Sequence, residues 1–220
     1  MNSRPYVAPP DSGLDLLHID DALLVVNKPS GLLSVPGRGV GKDDCLVSRV
    51  QAVYPEVLNV HRLDMETSGL MVLARSKEMH RALSILFQNR EVEKRYVAVV
   101  DGELEKASGE IDLPLITDWP NRPLQKVDHE TGKPSLTRYR GLNHDPGSNS
   151  TRLELEPHTG RSHQLRVHLM SLGHPILGDL LYASPALQAK SMRLLLHADY
   201  LAFTHPLSGE RLAFSCPAPF

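Results

Sequence analysis

The stretch HRLDMETSGLMVLA, residues 61–74, places a polar turn directly before a short apolar strand. Its last five residues, 70–74, are uniformly apolar, which is typical of a buried strand. The turn before them contains an arginine, a carboxylate and two hydroxyl groups, at Arg62, Asp64, Thr67 and Ser68. Asp, Thr and Ser often bond only to nearby backbone in such loops. The turn alone therefore leaves open whether Asp64 caps the chain or carries out chemistry.

Helical patterns occur in three places along the chain. Ser76 is expected to cap a helix that runs to about residue 90, because apolar residues from Met79 to Phe87 fall on one helical face. Asp43 is expected to cap a second helix, whose apolar stripe extends to Val53. A third helix is predicted over residues 162–172, since Gly173 provides a C-terminal cap.

Strand patterns outnumber the helices and often follow one another without a helix between them. Strands are predicted at residues 15–19, 23–27, 70–74, 96–100, 138–142, 152–156, 194–204 and 211–215. This order predicts an α+β fold with a mixed, mainly antiparallel sheet. Residues 1–13 are predicted to be a flexible arm, and residues 14–220 a single domain.

Composition restricts the class of protein. Of the 220 residues, 41% are apolar and 23% charged, as in ordinary globular domains. No apolar run is long enough to cross a bilayer, and residues 1–10 lack an apolar signal core. Two cysteines are too few for a disulfide framework, which favours the cytoplasm.

The net charge of −2 is unevenly distributed. Residues 61–100 carry seven basic and five acidic side chains, and residues 119–168 carry eight and five. An acidic segment, residues 101–118, separates these two basic blocks. A polyanionic partner would therefore meet the chain through the two blocks.

Three further clusters could carry chemistry. Residues 159–166 are expected to open a helix, where backbone N–H groups and Arg161 would favour an anion. Tyr96 follows two cations at the start of a strand. Trp119, the only tryptophan, lies beside Arg122 and Lys126, a combination that suits stacked bases and phosphates. Each also has a purely structural interpretation, as a capped helix, a half-buried tyrosine or a stiff surface loop.

Metal and nucleotide-cofactor sites are not predicted. His158, His163 and His168 are spaced by five residues and so do not share a helical face, and no metal-binding motif is present. No phosphate-binding glycine motif follows a strand.

Five motifs in this order resemble the RluA-type pseudouridine synthases. The motifs are NKPSG (27–31), HRLD with TSG (61–69), KRYVA (94–98), TGRSHQLR (159–166) and RLLLHA (193–198). The resemblance extends from about residue 17 to residue 219. DWPNRP (118–123) and HPILGD (174–179) are similar to a subgroup, A, of this family. Met65 after the motif aspartate, where many members have lysine, is another trait of that subgroup.

The resemblance implies an enzyme that isomerises uridine within folded RNA and uses no cofactor or metal. It implies the pseudouridine synthase fold, with a central active-site cleft flanked by helices and loops and no separate N-terminal RNA-binding domain. Subgroup A resembles enzymes that act on both 23S rRNA and the anticodon loop of certain tRNAs. A monomer in the cytoplasm is expected.

The family's catalytic residues match three positions here. Asp64 matches the catalytic aspartate, Arg161 the arginine that keeps it charged, and Tyr96 the tyrosine that stacks on the flipped uracil. Leu195 or Leu196 would form a wall of the pocket. Arg62 is expected to fill the gap left by the flipped base.

The basic blocks predict the contacts with the RNA substrate. Trp119 is expected to stack on a base. Four cations are expected to contact phosphates, namely Arg122, Lys126, Arg138 and Arg166.

Two other functions remain open from the residues alone. One is an RNA-binding module without catalysis, which would share the basic blocks and the aromatics. The other is a nucleoside or glycosyl hydrolase that uses Asp64 and Glu66 as a carboxylate pair.

Overall fold

The structure is a computed structural model and describes residues 6–220. In chain order, the strands and helices of these residues are β1 (Leu16–Ile19), β2 (Leu23–Lys28), α1 (Leu46–Gln51), β3 (Leu58–Asn59), β4 (Ser68–Ala74), α2 (Lys77–Asn89), β5 (Glu93–Asp101), β6 (Ser108–Asp112), β7 (Leu115–Thr117), β8 (Gln125–Val127), β9 (Leu136–Asp145), β10 (Ser150–Pro157), α3 (Gln164–Ser171), α4 (Pro185–Gln188), β11 (Leu196–Thr204) and β12 (Arg211–Ser215). A turn of 3-10 helix, Trp119–Asn121, lies between β7 and β8. No helix among the described residues is both long and apolar enough to cross a membrane.

The chain divides into two compact units. Unit 1 contains the residues up to Glu93 together with Tyr200–Pro217, and unit 2 contains Lys94–Asp199 together with Ala218–Phe220. Strands outnumber helices in each unit, which confirms the predicted α+β class. The interpretation of residues 14–220 as one catalytic domain stays a prediction.

In unit 1, antiparallel pairing brings four strands together, β1 to β4. β1 pairs with β2, β2 pairs with β4, and β3 also pairs with β4. β12 pairs with the part of β11 that begins at Tyr200. The apolar core contains alternating residues of these strands, including Leu23, Val25, Leu70 and Val72. The turn with Asp64 leads directly into β4. Because β4 is packed in this core, one end of the turn is held in place.

The predicted helix after Ser76 is confirmed as α2. The Ser76 side chain accepts a hydrogen bond from the Met79 N–H, and Arg90 ends the helix in the left-handed conformation with φ 63°. Met79 and Leu83 are buried in the core of unit 1.

The predicted start of α1 is wrong by two residues. Cys45 is the N-cap, because its sulfur accepts from the Ser48 N–H while the Ser48 hydroxyl oxygen accepts from the Cys45 N–H. Asp43 lies outside this capping box. Val53 lies beyond the helix end and is 60% exposed, so it is not part of the apolar stripe.

The predicted N-terminal arm is only partly described, since residues 1–5 lie outside the described part. Residues 6–13 have no regular secondary structure but are anchored to unit 1. The Tyr6 hydroxyl donates to the Asp44 carbonyl at 2.9 Å, and the Arg49 guanidinium donates to the Pro9 carbonyl at 2.6 Å. The flexible arm over residues 1–13 stays a prediction.

In unit 2, β5, β10, β9 and β6 pair in that order, and all the pairs are antiparallel. β7 and β8 form a separate two-stranded hairpin. Leu153 and Leu155 of β10 are fully buried with Leu165 and Leu169 of α3 in one apolar core. The core therefore fixes the start of α3 against the sheet of unit 2.

The helix predicted over residues 162–172 is shorter than expected. α3 covers Gln164–Ser171, because its N-cap, His163, has φ 55°, a left-handed conformation that cannot continue a right-handed helix. Leu172, the last residue of the predicted helix, is the C-cap and is 39% exposed. Arg161 lies three residues before α3, and Arg166 lies in its first turn.

Candidate active-site residues

The buried side chain of Lys28 supports the turn that carries Asp64. Lys28 ends β2 and is fully buried, and its ammonium donates to the carbonyls of Pro29 at 2.8 Å, Leu32 at 2.7 Å and Met65 at 3.0 Å. Burial of a charge is costly unless its hydrogen-bonding capacity is used. Three carbonyl acceptors use the three N–H donors of an ammonium. Lys28 thus joins the loop after β2 to the residue next to Asp64.

Other residues of the same loop hold the backbone on both sides of Asp64. The Ser34 hydroxyl donates to the Leu63 carbonyl at 2.7 Å, and the Leu63 N–H donates back to it at 3.1 Å. The Ser30 hydroxyl donates to the Glu66 carbonyl at 2.7 Å. The N–H of Gly31, whose φ of 81° favours glycine, donates to the Met65 carbonyl.

Asp64 itself is half-buried, and its carbonyl accepts from the Thr67 N–H at 3.1 Å. Arg62 is exposed two residues earlier. Between β3 and Arg62, His61 is fixed because its Nε2 accepts from the Val72 N–H at 3.0 Å and its ring stacks on Phe87. The backbone around half-buried Asp64 is therefore well held, and the exposed Arg62 lies two residues earlier in the chain.

Tyr96 and the two candidate wall leucines belong to unit 2. Tyr96 is half-buried on β5 and packs against the apolar core of that unit. Leu196 lies within the core and is 2% exposed, whereas Leu195 is half-buried at its edge. Of the two leucines, Leu195 is the one with accessible apolar surface for a ligand.

Arg161 and Arg166 have environments opposite to those expected. Arg161 is exposed, and its guanidinium makes only long contacts, both 3.4 Å, to the Pro134 carbonyl. Arg166 is 3% exposed and donates through Nε and Nη2 to both carboxylate oxygens of Asp179, at 2.7 and 2.6 Å. The guanidinium of Arg166 is thus buried in an ion pair, and its contact with phosphate stays a prediction.

Gln164 accepts from one backbone N–H of the segment that was expected to bind an anion. Its side-chain carbonyl accepts from the Arg161 N–H at 3.0 Å and from the Thr159 hydroxyl at 2.7 Å. Its amide donates to the Leu136 carbonyl and to the Thr137 hydroxyl. The segment before α3 is thus organised by an internal side chain, and sequence reasoning missed it because its partners Leu136 and Thr137 lie far away in the chain.

Trp119 and Arg122 form an exposed pair on the loop between β7 and β8. Trp119 is 66% exposed, and the guanidinium carbon of Arg122 lies 4.6 Å from the centre of its ring. This geometry is a cation–π contact. Lys126 is exposed on β8, where its ammonium is 3.9 Å from an Asp128 carboxylate oxygen.

Arg138 lies among acidic side chains on the outer face of the unit 2 sheet. Its Nε donates to Glu110 at 2.6 Å, and strand register places Glu156 on its other side. A surface cavity of about 350 Å³ contains these residues. Arg138 would have to exchange Glu110 for a phosphate, so its RNA contact stays a prediction.

Comparison with known proteins gives the family. The model of the family described as RNA pseudouridylate synthase matches residues 22–171.

The chain belongs to the RNA pseudouridylate synthase family.

Full-length relatives agree with this assignment. The chain is 52% identical to the dual-specificity RNA pseudouridine synthase RluA of Escherichia coli K12, over 100% of both chains. It is 53% identical to the protein of the same name from Pasteurella multocida, over 98% of both. The solved structure of human RNA pseudouridylate synthase domain containing 1 has a TM-score of 0.80 and 28% identity, over 97% of this chain and 87% of the human one.

The chain is therefore an RNA pseudouridine synthase, an isomerase with an RNA substrate. The expected fold and activity are confirmed. The pseudouridine synthase function therefore replaces the two alternatives, a binding module and a hydrolase. The roles of the individual site residues are not decided by these likenesses.

Proposed function

We propose that this RNA pseudouridine synthase modifies particular uridines of 23S rRNA and of the anticodon loop of certain tRNAs. The observation that carries the proposal is the full-length similarity, at 52% identity, to an enzyme whose name states dual specificity. The enzyme would act in the cytoplasm, where both RNAs are found, and as a monomer.

The reaction defines what the residues must do. The bond between ribose C1′ and uracil N1 breaks, the base turns, and C1′ bonds to C5. The proton from C5 leaves and N1 gains one, so the product is an isomer. Because the target atoms lie inside the base stack, the nucleotide must be flipped out first. Water must be kept from the freed base and sugar.

Asp64 is the proposed catalytic carboxylate. It would either attack the reacting nucleotide or stabilise a cationic sugar. The bonds of Lys28, Ser30 and Ser34 to the neighbouring backbone support this role, because catalysis depends on a carboxylate held in one place.

Tyr96 and Arg161 are the other proposed catalytic residues. The half-buried ring of Tyr96 offers a face on which a flipped uracil could stack. Arg161 would keep a carboxylate ionised through its positive charge. Leu195 is proposed to contact the flipped base. The exposed side chain of Arg62 is proposed to fill the gap that the base leaves in the stack.

The exposed pair of Trp119 and Arg122 supports recognition of splayed loop bases. An exposed indole gives a stacking surface, and neighbouring cations contact phosphate. Recognition by stacking and shape tolerates different RNA molecules, which fits two substrate classes.

The test is tritium release from RNA labelled at uracil C5. A tRNA anticodon stem-loop and a large-subunit rRNA fragment would each be incubated with the enzyme. We expect stoichiometric release from both RNAs. Release from one RNA alone would contradict dual specificity, and release from neither would contradict the proposed substrates.

A further inference from the structure

A single tyrosine hydroxyl joins the loop of Trp119 to the segment of Arg161. The Gln125 backbone N–H donates to Tyr182 Oη at 2.8 Å. The same oxygen lies 2.6 Å from His163 Nδ1. Because Oη already accepts from the amide, its own proton is available for Nδ1. Gln125 is the first residue of β8, and His163 caps α3 two residues after Arg161.

Tyr182 is itself held by the buried ion pair. The Asp179 carboxylate, which binds Arg166, also accepts from the N–H groups of Leu181 at 2.9 Å and Tyr182 at 3.1 Å. The Arg166 guanidinium carbon lies 5.1 Å from the centre of the Tyr182 ring. The hydroxyl is therefore presented from a fixed position.

The hairpin that Tyr182 contacts has little support of its own. β7 and β8 have three residues each, and the Asp118 N–H closes the loop by donating to the Leu124 carbonyl. Two-stranded hairpins are marginally stable in isolation. At the far end, Leu115 exchanges two backbone bonds with Lys133. At the loop end, the bond from Gln125 to Tyr182 fixes the strand next to Trp119 and Arg122.

We propose that Tyr182 is a positioning residue for RNA recognition, whose hydroxyl sets the place of Trp119 and Arg122 relative to the Arg161 segment. The effect of Tyr182 on RNA recognition rests on the proposed function. Its structural part, that the hydroxyl holds the hairpin loop, stands independently of the substrate.

The structural part can be measured without RNA, because Trp119 is the only tryptophan in the chain. Time-resolved fluorescence anisotropy of Trp119 reports local motion of the loop. We expect Tyr182→Phe to increase the amplitude of fast depolarisation. The control is Tyr54→Phe, since Tyr54 also packs against an arginine, Arg75 at 5.7 Å, but lies in unit 1. An unchanged anisotropy decay in Tyr182→Phe would overturn the inference.

The functional part is tested by a double-mutant cycle. Tyr182→Phe keeps the ring under Arg166 and removes one hydroxyl, so KM for the RNA should rise roughly three- to tenfold with kcat unchanged. In a Trp119→Ala background, the same change should alter KM less than about twofold, because the loop no longer carries its stacking group.

A merely structural role would give the same fold-change in both backgrounds, and this result would overturn the inference. A fall in kcat with unchanged KM would do so too. If wild type releases no tritium from either RNA, the proposed function fails, and the anisotropy measurement still decides whether Tyr182 holds the loop.

Discussion

The ammonium of Lys28 lies 3.0 Å from the carbonyl oxygen of Met65, the residue that follows Asp64. This bond joins the end of β2 to the turn before β4. Lys28 is fully buried, so the packing around it fixes the position of its ammonium relative to the Met65 carbonyl. The backbone that carries the proposed catalytic carboxylate is thus bonded to the packed interior of unit 1.

Replacement of Lys28 by methionine tests this support. Three carbonyls would lose their donor, so we expect the free energy of unfolding to fall by about 2–4 kcal/mol. Turnover should fall roughly a hundredfold, because small displacements of a catalytic group are costly. Urea denaturation and single-turnover tritium release measure the two effects. The control is Lys77→Met on the exposed surface of α2, and equal turnover in both variants would contradict the role of Lys28.

Arg161→Lys distinguishes a catalytic arginine from a phosphate contact. Since Arg161 is exposed, its replacement should change the free energy of unfolding by less than about 0.5 kcal/mol. As a catalytic residue, it should lower kcat at saturating RNA by at least about tenfold. An unchanged kcat with a raised KM would instead make Arg161 a phosphate contact and leave the buried Arg166 as the candidate.

The buried pair of Arg166 and Asp179 should dominate local stability. Asp179→Ala leaves a guanidinium buried without its carboxylate, for which we expect a loss of about 3–5 kcal/mol in urea denaturation. Glu110→Ala breaks the exposed pair with Arg138, 2.6 Å long, and should cost less than about 1 kcal/mol. Similar losses in the two variants would contradict the difference in burial.

Trp119 and Lys126 should differ in how they affect RNA binding. Trp119→Ala is expected to weaken binding by about 1–3 kcal/mol without changing the salt dependence, because stacking is uncharged. Lys126→Met should reduce the slope of log K against log salt by about 0.7–0.9. Fluorescence titrations with labelled stem-loops at several salt concentrations measure both. Lys106→Gln, at an exposed position of the acidic segment between the two basic blocks, is the control, and a reduced slope in Trp119→Ala would contradict stacking.

His168 should be harder to protonate in the folded chain than in the unfolded chain. Burial lowers the pKa of His168, and its ring bonds to the Thr137 hydroxyl and the Leu113 carbonyl at 2.9 and 3.0 Å. The unfolded chain therefore binds a proton that the folded chain does not. Stability should fall as the pH decreases below about 6.5, by at most 1.4 kcal/mol per pH unit for this one group. An NMR titration of the ring that gives an ordinary or raised pKa would contradict this.

Local patterns predicted the elements whose signals lie within one stretch of sequence. α2 has both a serine cap and a helical apolar stripe, and β2 and β4 are continuous apolar runs. The beginnings of α1 and α3 were missed because their caps, Cys45 and His163, are unusual. Their conformations depend on neighbouring loops.

The short strands of the acidic segment could not be predicted, because runs of three to five residues carry too weak a pattern of their own. The acidic segment, residues 101–118, supplies β6 to the sheet through β9 and β7 to the separate hairpin with β8. The candidate site could also be predicted only in part. The motif at residues 159–166 contains Arg161 and Arg166, but it does not show which of them is buried, because Asp179, the partner of Arg166, lies outside the motif.

The role of Asp64 is tested by single-turnover tritium release from a C5-labelled anticodon stem-loop with Asp64→Asn, and Glu66→Gln is the matched control. We predict that Asp64→Asn binds the RNA normally but loses at least about a thousandfold in rate, whereas Glu66→Gln keeps most of its rate. Normal release by Asp64→Asn would contradict the assignment of Asp64 as the catalytic carboxylate.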